Sequence, residues 1–496
     1  MPINAPSLDL GALAPFLVLV TGAGIALLLD LFIPPSRRRL LGYFALATVL
    51  VAIGACVPLW SNNAPRLAFA DMVNVDRFGL FFSLLTLVAT ALSILLAIDY
   101  LDRHDLNWGE YYPLILFTAS GMLLLALAND LILLFISLEV LSIGLYILSG
   151  FARGQAGSQE SAIKYFLLGS FSFGFLVYGT ALVYGATGTT NFTGLGEALA
   201  AGGVTDNPLL LVGLALLLVG FAFKLALAPF HMWTPDVYTG APTTVTAFMS
   251  VGTKVTTFGA LLRMILSGMP ALSSEWAATL WALAIVTMIL GNLAAITQRN
   301  IKRMLAYSSV GQAGYVLVAV VAAETQRRDV SDAALNGVLF YLLAYTFMNL
   351  GAFAVVIALA RPGDERLDLD RDYSGLAWRH PWLAGALALF MLSLGGIPPT
   401  AGFIGKLLVF RAAIEAGYWT LALVGVLTSV IALGFYLRVV IRMYTGAPAR
   451  DDRAPLRLPV PLAATLALCA VLTIGLGVLP AVPLDFAQQA LTIVRP

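Results

Sequence analysis

About fourteen apolar stretches of ~20 residues run through this 496-residue chain, and that is the length a helix needs to cross the ~30 Å hydrocarbon layer of a bilayer. Lipid offers no partner for a free N–H or C=O, so spanning segments of this length must pair their backbone internally as helices. The predicted spans lie near residues 10–33, 40–60, 77–99, 111–128, 131–150, 160–185, 208–230, 243–267, 276–297, 303–323, 334–360, 382–411, 418–443 and 458–480. The expected fold is an all-α integral membrane protein with about 14 transmembrane helices. Composition agrees: 60% of residues are hydrophobic and 11% charged, outside the range of soluble domains.

Against that background the lysines stand out. Four of the five, Lys164, Lys224, Lys254 and Lys406, fall inside the apolar stretches. A lysine at the centre of a membrane helix costs roughly 2.5 to 3.5 kcal/mol even on lenient insertion scales, so four of them imply a task, and the expected task is moving protons. Glu139 lies nine residues past Asp130, about 13 Å along its helix and close to mid-membrane. Lys224 lies twelve residues before Asp236, Lys254 eleven after Thr243 and Lys406 twelve before Tyr418. One acid and three bases thus share a depth. Burial disfavours a charged amine and a neighbouring carboxylate favours it, so moving Glu139 relative to Lys224 would switch the lysine between holding and releasing a proton.

Plainer readings stand beside this one. Glu139 and Lys224 also suit a static buried ion pair, although such pairs often stabilise no better than apolar packing. Lys254 and Lys406 have no obvious fixed acidic partner in the sequence. Lys164 follows Glu160 by four residues, which also suits an ordinary helical ion pair at a span's end. His231 suits either a proton shuttle from the inner solvent or a donor to freed backbone carbonyls. Arg263, Arg411 and Arg438 read as snorkelling ends, and Asp236 as a helix cap.

Two spans are interrupted. FKLALAPFHMWTP carries Pro229 five residues after Lys224, and LGGIPPTAGFIGK places Gly395, Gly396, Pro398 and Pro399 ahead of Lys406. Proline inside a helix removes a hydrogen bond and clashes with the preceding turn, so both spans are predicted to be broken helices. They are the seventh and twelfth, five apart, and a five-span repeat inserts its second copy upside down. The predicted organisation is an N-terminal three-helix segment (1–105), a first five-helix unit (106–270), a second, inverted unit (271–445) and a C-terminal helix 14 (446–496). With the first span starting outside, inner loops hold sixteen Lys and Arg against five outside. That bias predicts both termini on the external face.

Several classes of chemistry drop out. Cys56 and Cys469 lie in separate apolar segments, too few for an iron–sulfur or zinc site, and the three histidines fall at or beyond segment ends. No phosphate-binding G-x-x-x-x-G-K-[ST] loop occurs, and a net charge of +1 gives no footprint for nucleic acid. The first apolar run is too long for a signal peptide and lacks a clear cleavage site, so it is expected to stay in the mature protein.

Residues 221–263, FAFKLALAPFHMWTPDVYTGAPTTVTAFMSVGTKVTTFGALLR, contain a W-x-P-D…A-P signature and closely resemble the subunit N family of respiratory complex I, the proton-pumping NADH:quinone oxidoreductase. ISLEVLSIGLYILSGF from Ile136 and NIKRMLAYSSVGQAGY from Asn300 agree, and the similarity runs over essentially the whole chain. The resemblance implies fourteen helices, two inverted five-helix repeats with broken helices 7 and 12, and one proton channel per antiporter-like subunit. It implies Glu139 as the fifth-helix acid, with Lys164 on the sixth helix, Lys224 on the seventh, Lys254 on the eighth and Lys406 on the twelfth. A lysine at the last position also fits subunit L, whereas subunit M typically has glutamate there; subunit L would carry a long lateral C-terminal helix.

The family implies protons moving from cytoplasm to periplasm in the bacterial inner membrane, coupled to quinone reduction in sister subunits. Expected partners are K-, M- and J-type membrane subunits and, through them, the peripheral arm, besides the lipid bilayer. No cofactor or metal is expected in this chain; NADH, FMN, iron–sulfur clusters and quinone belong to other subunits. The eleventh span, NGVLFYLLAYTFMNLGAF, has no ionisable residue except tyrosine, so Tyr341, Tyr345 and Asn349 are candidates for a neutral relay between Lys254 and Lys406. The rival functions are a subunit of a multi-subunit cation/proton antiporter or membrane-bound hydrogenase, and a non-conducting structural subunit of a membrane arm.

Overall fold

Short polar side chains fix where the helices begin. The computed structural model describes residues 9–62, 65–361, 363, 365, 367–447 and 458–491. Its helices are α1 Ala14–Asp30, α2 Arg39–Ser61, α3 Arg77–Arg103, α4 Tyr111–Leu127, α5 Leu131–Ser149, α6 Ala156–Thr187, α7 Phe192–Ala200, α8 Pro208–Leu225, α9 Trp233–Gly240, α10 Thr243–Arg263, α11 Ser273–Ile296, α12 Ile301–Ala322, α13 Arg328–Leu359, α14 Leu376–Arg379, α15 Pro381–Gly395, α16 Ala401–Glu415, α17 Trp419–Thr445, α18 Val460–Val478 and α19 Ala481–Leu491. Asp76 caps α3 by accepting from the Gly79 N–H at 2.7 Å, Asp130 caps α5 through Ile132 at 2.7 Å, and Asn300 caps α12 through Arg303 at 3.1 Å. Each cap satisfies a donor that the first turn leaves free. A two-stranded hairpin, β1 Arg66–Ala68 with β2 Val73–Val75, sits ahead of α3.

Among the described residues eleven helices are long and apolar enough to cross a membrane, and α1, α4 and α15 are shorter apolar helices. These match the fourteen expected spans, with α8/α9 as the broken seventh and α15/α16 as the broken twelfth. Every residue of α10 is buried, and α3, α12 and α13 are nearly so. Outer helices keep apolar residues exposed, such as Leu50, Leu290, Val430 and Val471, as a lipid-facing surface requires. Lipid provides no hydrophobic drive between helices, so close backbone approach matters. At the α11–α12 contact a Cβ on Gly291 would lie 2.7 Å from the Gly311 nitrogen.

The element order from α4 to α10 recurs from α11 to α17. α6 and α13 both have 32 residues; each is followed by a short helix, a broken span and one more span. Backbone straps repeat as well. Leu131 N donates to Thr190 O (2.9 Å) and Phe192 N to Asn129 O (2.9 Å), while Ile301 N donates to Leu367 O (2.9 Å) and Leu369 N to Arg299 O (2.8 Å). Five crossings separate the two straps, so they lie at opposite ends of the bundle and the repeat is inverted. Beyond α18, the fourteenth span, the described residues hold one further helix, α19, whose Phe486 stacks on Trp60 at 4.5 Å.

One buried ion pair departs from the sequence reading, and a second lies at residues that reading left aside. Arg263 does not snorkel: it is 2% exposed and grips Asp76 with two bonds of 2.7 and 2.6 Å, tying α10 to α3. Its position in an all-buried helix leaves its head no path to water. At the other end of α10, Glu365 accepts from Thr243 (2.7 Å), Lys302 (2.9 Å) and the Tyr100 hydroxyl, and Lys302 also donates to Ala241 O at 2.6 Å. Burial pushes the Glu365 carboxyl up, but the Lys302 charge and the three hydrogen bonds outweigh it and hold the group below its usual range. Arg411 is exposed and paired with Glu415, and Arg438 donates to Ile296 O and Gln298 O at the end of α11. Arg366, Arg450, Arg453, Arg457 and Arg495, counted in the charge bias, lie outside the described residues.

Candidate functional site

The two broken helices create the site by freeing carbonyls in mid-bundle. A helical C=O accepts from the N–H four residues on. For Leu225, the last residue of α8, that position is Pro229; for Leu394 and Gly395, at the end of α15, the positions are Pro398 and Pro399. None of the three prolines has an N–H. Long side chains take the missing role. Lys254 donates to Leu225 O at 3.1 Å, Lys406 to Gly395 O at 3.0 Å and Gln312 to Leu394 O at 3.1 Å. An ammonium at a helix C-terminus also meets the negative end of the macrodipole. Gly396 makes room for this: its φ is +87°, and a Cβ there would sit 2.9 Å from Lys406 Cδ.

Lys224, Lys254 and Lys406 are 4%, 3% and 5% exposed, so all three amines face the bundle interior and not the lipid. Lys224, in the last turn of α8, donates to Ser142 Oγ at 2.7 Å and to the Tyr165 hydroxyl at 3.3 Å. Tyr165 is held by a parallel stack on Trp233 at 4.5 Å. Glu139 is half-buried on α5; among the described residues no ion pair joins it to Lys224, and the two interact through the field rather than by contact. Lys254, midway along α10, donates to Leu225 O and to Ser309 O at 2.7 Å. It therefore touches the carbonyl of the residue next to Lys224. Lys406 lies 4.7 Å from the Tyr315 ring centroid.

Between Lys254 and Lys406 the interior is polar without being charged. Tyr345 donates to Ser309 Oγ at 2.9 Å, and the Tyr341 hydroxyl donates to Gln312 Oε1. Gln312 Nε2 donates to Tyr436 at 3.0 Å as well as to Leu394 O, and Tyr436 shares a hydrogen bond with Ser308. Asn349 is placed off this line, donating to Ser250 Oγ at 2.6 Å, one turn from Lys254 on α10. Two hydrogen-bonded groups thus lie between the amines: Tyr345 with Ser309, whose carbonyl takes Lys254, and Tyr341 with Gln312, Tyr436 and Ser308, ending on the carbonyl beside Gly395.

Lys164 sits elsewhere. It is 40% exposed at the bundle rim, paired with Glu160 at 2.6 Å and Asp236 at 2.8 Å. Asp236 also binds Arg303 at 2.6 Å, so it joins α6, α9 and α12 instead of capping a helix; it lies within α9, not ahead of it. His231 lies between α8 and α9 with a buried Nδ1 and its ring 6.3 Å from that of Tyr307. Thr287 of α11 accepts from Ala228 N at 2.9 Å, so the second repeat holds the break of the first. Among the described residues no three His, Cys, Asp or Glu side chains converge as a metal site would.

Sequence reasoning missed Ser142, Tyr165, Ser309, Gln312 and Tyr436. For α12 a signal existed: Ser308, Ser309, Gln312 and Tyr315 in SSVGQAGY recur on one helical face inside an apolar span.

Residues 128–432 match the family described as NADH:quinone oxidoreductase/Mrp antiporter, TM. A protein of Chloroflexus aggregans named NADH-quinone oxidoreductase subunit N is 47% identical over 99% of both chains. A protein of the same name from Trichlorobacter lovleyi is 43% identical over the full length of both. Among solved structures, a chain of respiratory complex I from Thermus thermophilus is 34% identical with a TM-score of 0.78, covering 96% of this chain and 99% of that one. A chain of the Mrp complex from Dietzia shares the fold, with a TM-score of 0.83 at 23% identity over 97% of both.

Proposed function

The chain belongs to the NADH:quinone oxidoreductase/Mrp antiporter family, and from that premise we propose that it is the subunit N of a proton-translocating NADH:quinone oxidoreductase. It moves protons from cytoplasm to periplasm within the membrane arm, while sister subunits oxidise NADH and reduce quinone. Lys224, biased by Glu139, loads from the cytoplasmic side; Lys254 relays; Lys406 passes the proton onward. Lys164 and His231 are the candidates for carrying protons inward from the rim.

The observation that carries this reading is the burial of three amines whose contacts are neutral oxygens and rings. An amine bound to a carbonyl or hydroxyl and not to a carboxylate can lose its proton without leaving a bare negative charge behind. The neutral run through Ser309, Tyr345, Tyr341 and Gln312 supports passage between Lys254 and Lys406, because hydroxyls donate and accept alike.

We assign no redox group to this chain; NADH, FMN, iron–sulfur clusters and quinone are taken by other subunits. K-, M- and J-type neighbours are its proposed partners, and the basic bias of the inner loops supports both termini on the periplasmic side of the inner membrane. The test is Lys224→Ala in the assembled complex reconstituted into liposomes. Quinone reduction coupled to proton uptake should nearly vanish, and unchanged pumping in an intact complex would instead make the chain a structural subunit.

A further inference from the structure

We propose that Tyr146 and Ser172 hold one water against Lys224, and that this water is part of the route by which the amine exchanges its proton. The proposal rests on the reading of Lys224 as a proton carrier. Glu139, Ser142 and Tyr146 follow the i, i+3, i+7 spacing of one face of α5. Long helical side chains lean toward the N-terminus, which turns the Tyr146 hydroxyl back toward Ser142.

Between α5, α6 and α8 lies a cavity of about 10 Å³, lined by Lys224, Tyr146 and Ser172 with Leu138, Phe173 and Phe223 around them. That is room for about one water, and three converging polar groups are what a buried water ordinarily satisfies. Tyr146 is 7% exposed, and its hydroxyl makes no well-formed hydrogen bond among the described residues, Ser142 being within its reach but already accepting from Lys224. Its ring is fixed edge-on to Tyr165 at 4.8 Å and Phe166 at 5.8 Å. Gly169 of α6 leaves space for the hydroxyl; a Cβ there would lie 2.0 Å from it. On the other side an ammonium has three donors, and the bonds to Ser142 and Tyr165 use two. The third is free for the water.

The test compares Tyr146→Phe, Ser172→Ala and Lys224→Ala in the intact complex in liposomes. Phenylalanine keeps the ring contacts and removes only the hydroxyl. It should slow coupled proton uptake roughly tenfold, the effect of one lost hydrogen bond in the transfer step, flatten the pH profile of that rate, and remove the ordered water from a high-resolution map. Gly169→Ala, which displaces the hydroxyl, should do the same, and Ser172→Ala covers the case in which Tyr146→Phe does not assemble. If Lys224→Ala abolishes uptake while Tyr146→Phe and Ser172→Ala leave it at the native rate, the water site is wrong and the proposed function stands. If Lys224→Ala is also silent, both fall.

Discussion

Replacing Gln312 by methionine isolates the neutral run between the two repeats. The side chain is 2% exposed and methionine matches its length, so packing is largely kept. The hydrogen bonds are not. Tyr436 keeps its bond to Ser308, whereas the Tyr341 hydroxyl loses its acceptor and Leu394 O its donor, because Pro398 offers none. Each buried group left alone costs roughly 1–3 kcal/mol, so the local penalty is about 2–6 kcal/mol. If only ~2 kcal/mol of that enters the barrier for passage from Lys254 to Lys406, the rate falls roughly thirtyfold. The assay is proton uptake by proteoliposomes energised with NADH, read against quinone reduction in the same vesicles. Native uptake by an intact Gln312→Met complex would refute the neutral route.

Two further perturbations test the scaffold. Arg263→Ala leaves Asp76 buried and unpaired and should cost about 3–5 kcal/mol, seen as a lower unfolding temperature of the membrane arm; an unchanged temperature would show that the α3–α10 clasp contributes nothing. Glu365 is held below its usual range, so it stabilises the fold above the ordinary carboxylate value of about 4.5 and loses that contribution as pH falls through the lower folded value. Thermal scans of wild type and Glu365→Gln should therefore differ near neutral pH, begin to approach one another below about pH 4.5 and converge once pH passes the lower folded value; a constant difference would contradict the Lys302–Glu365 linkage.

Much of this architecture was legible in the sequence because lipid makes the backbone obey length and hydropathy. All fourteen spans, and breaks at Pro229 and at Pro398–Pro399, follow from runs and prolines alone. The buried lysines were legible for the same reason, as rare costs in apolar text. What resisted were partners, since partners depend on how helices rotate. Lys164 and Tyr165 are neighbours in sequence, yet about 100° of helical turn sends the lysine to the rim and the tyrosine to Lys224. Arg263 looked like a span end because its distance from water is set by helices far away in sequence. The polar face of α12 was visible but uncharged, and hydroxyls carry no cost large enough to announce a role.

The 32-residue α13 has almost no contact with lipid or solvent, and its inward groups are hydroxyls and an amide. A fixed charge on that pillar would sit among the lysine amines as a permanent stepping stone, and the membrane voltage would drain through it whether or not fuel was being oxidised. On the proposed route a neutral pillar would insulate at rest and pass protons only as its hydroxyls turn in sequence, so the groups proposed to carry current would also prevent a short circuit.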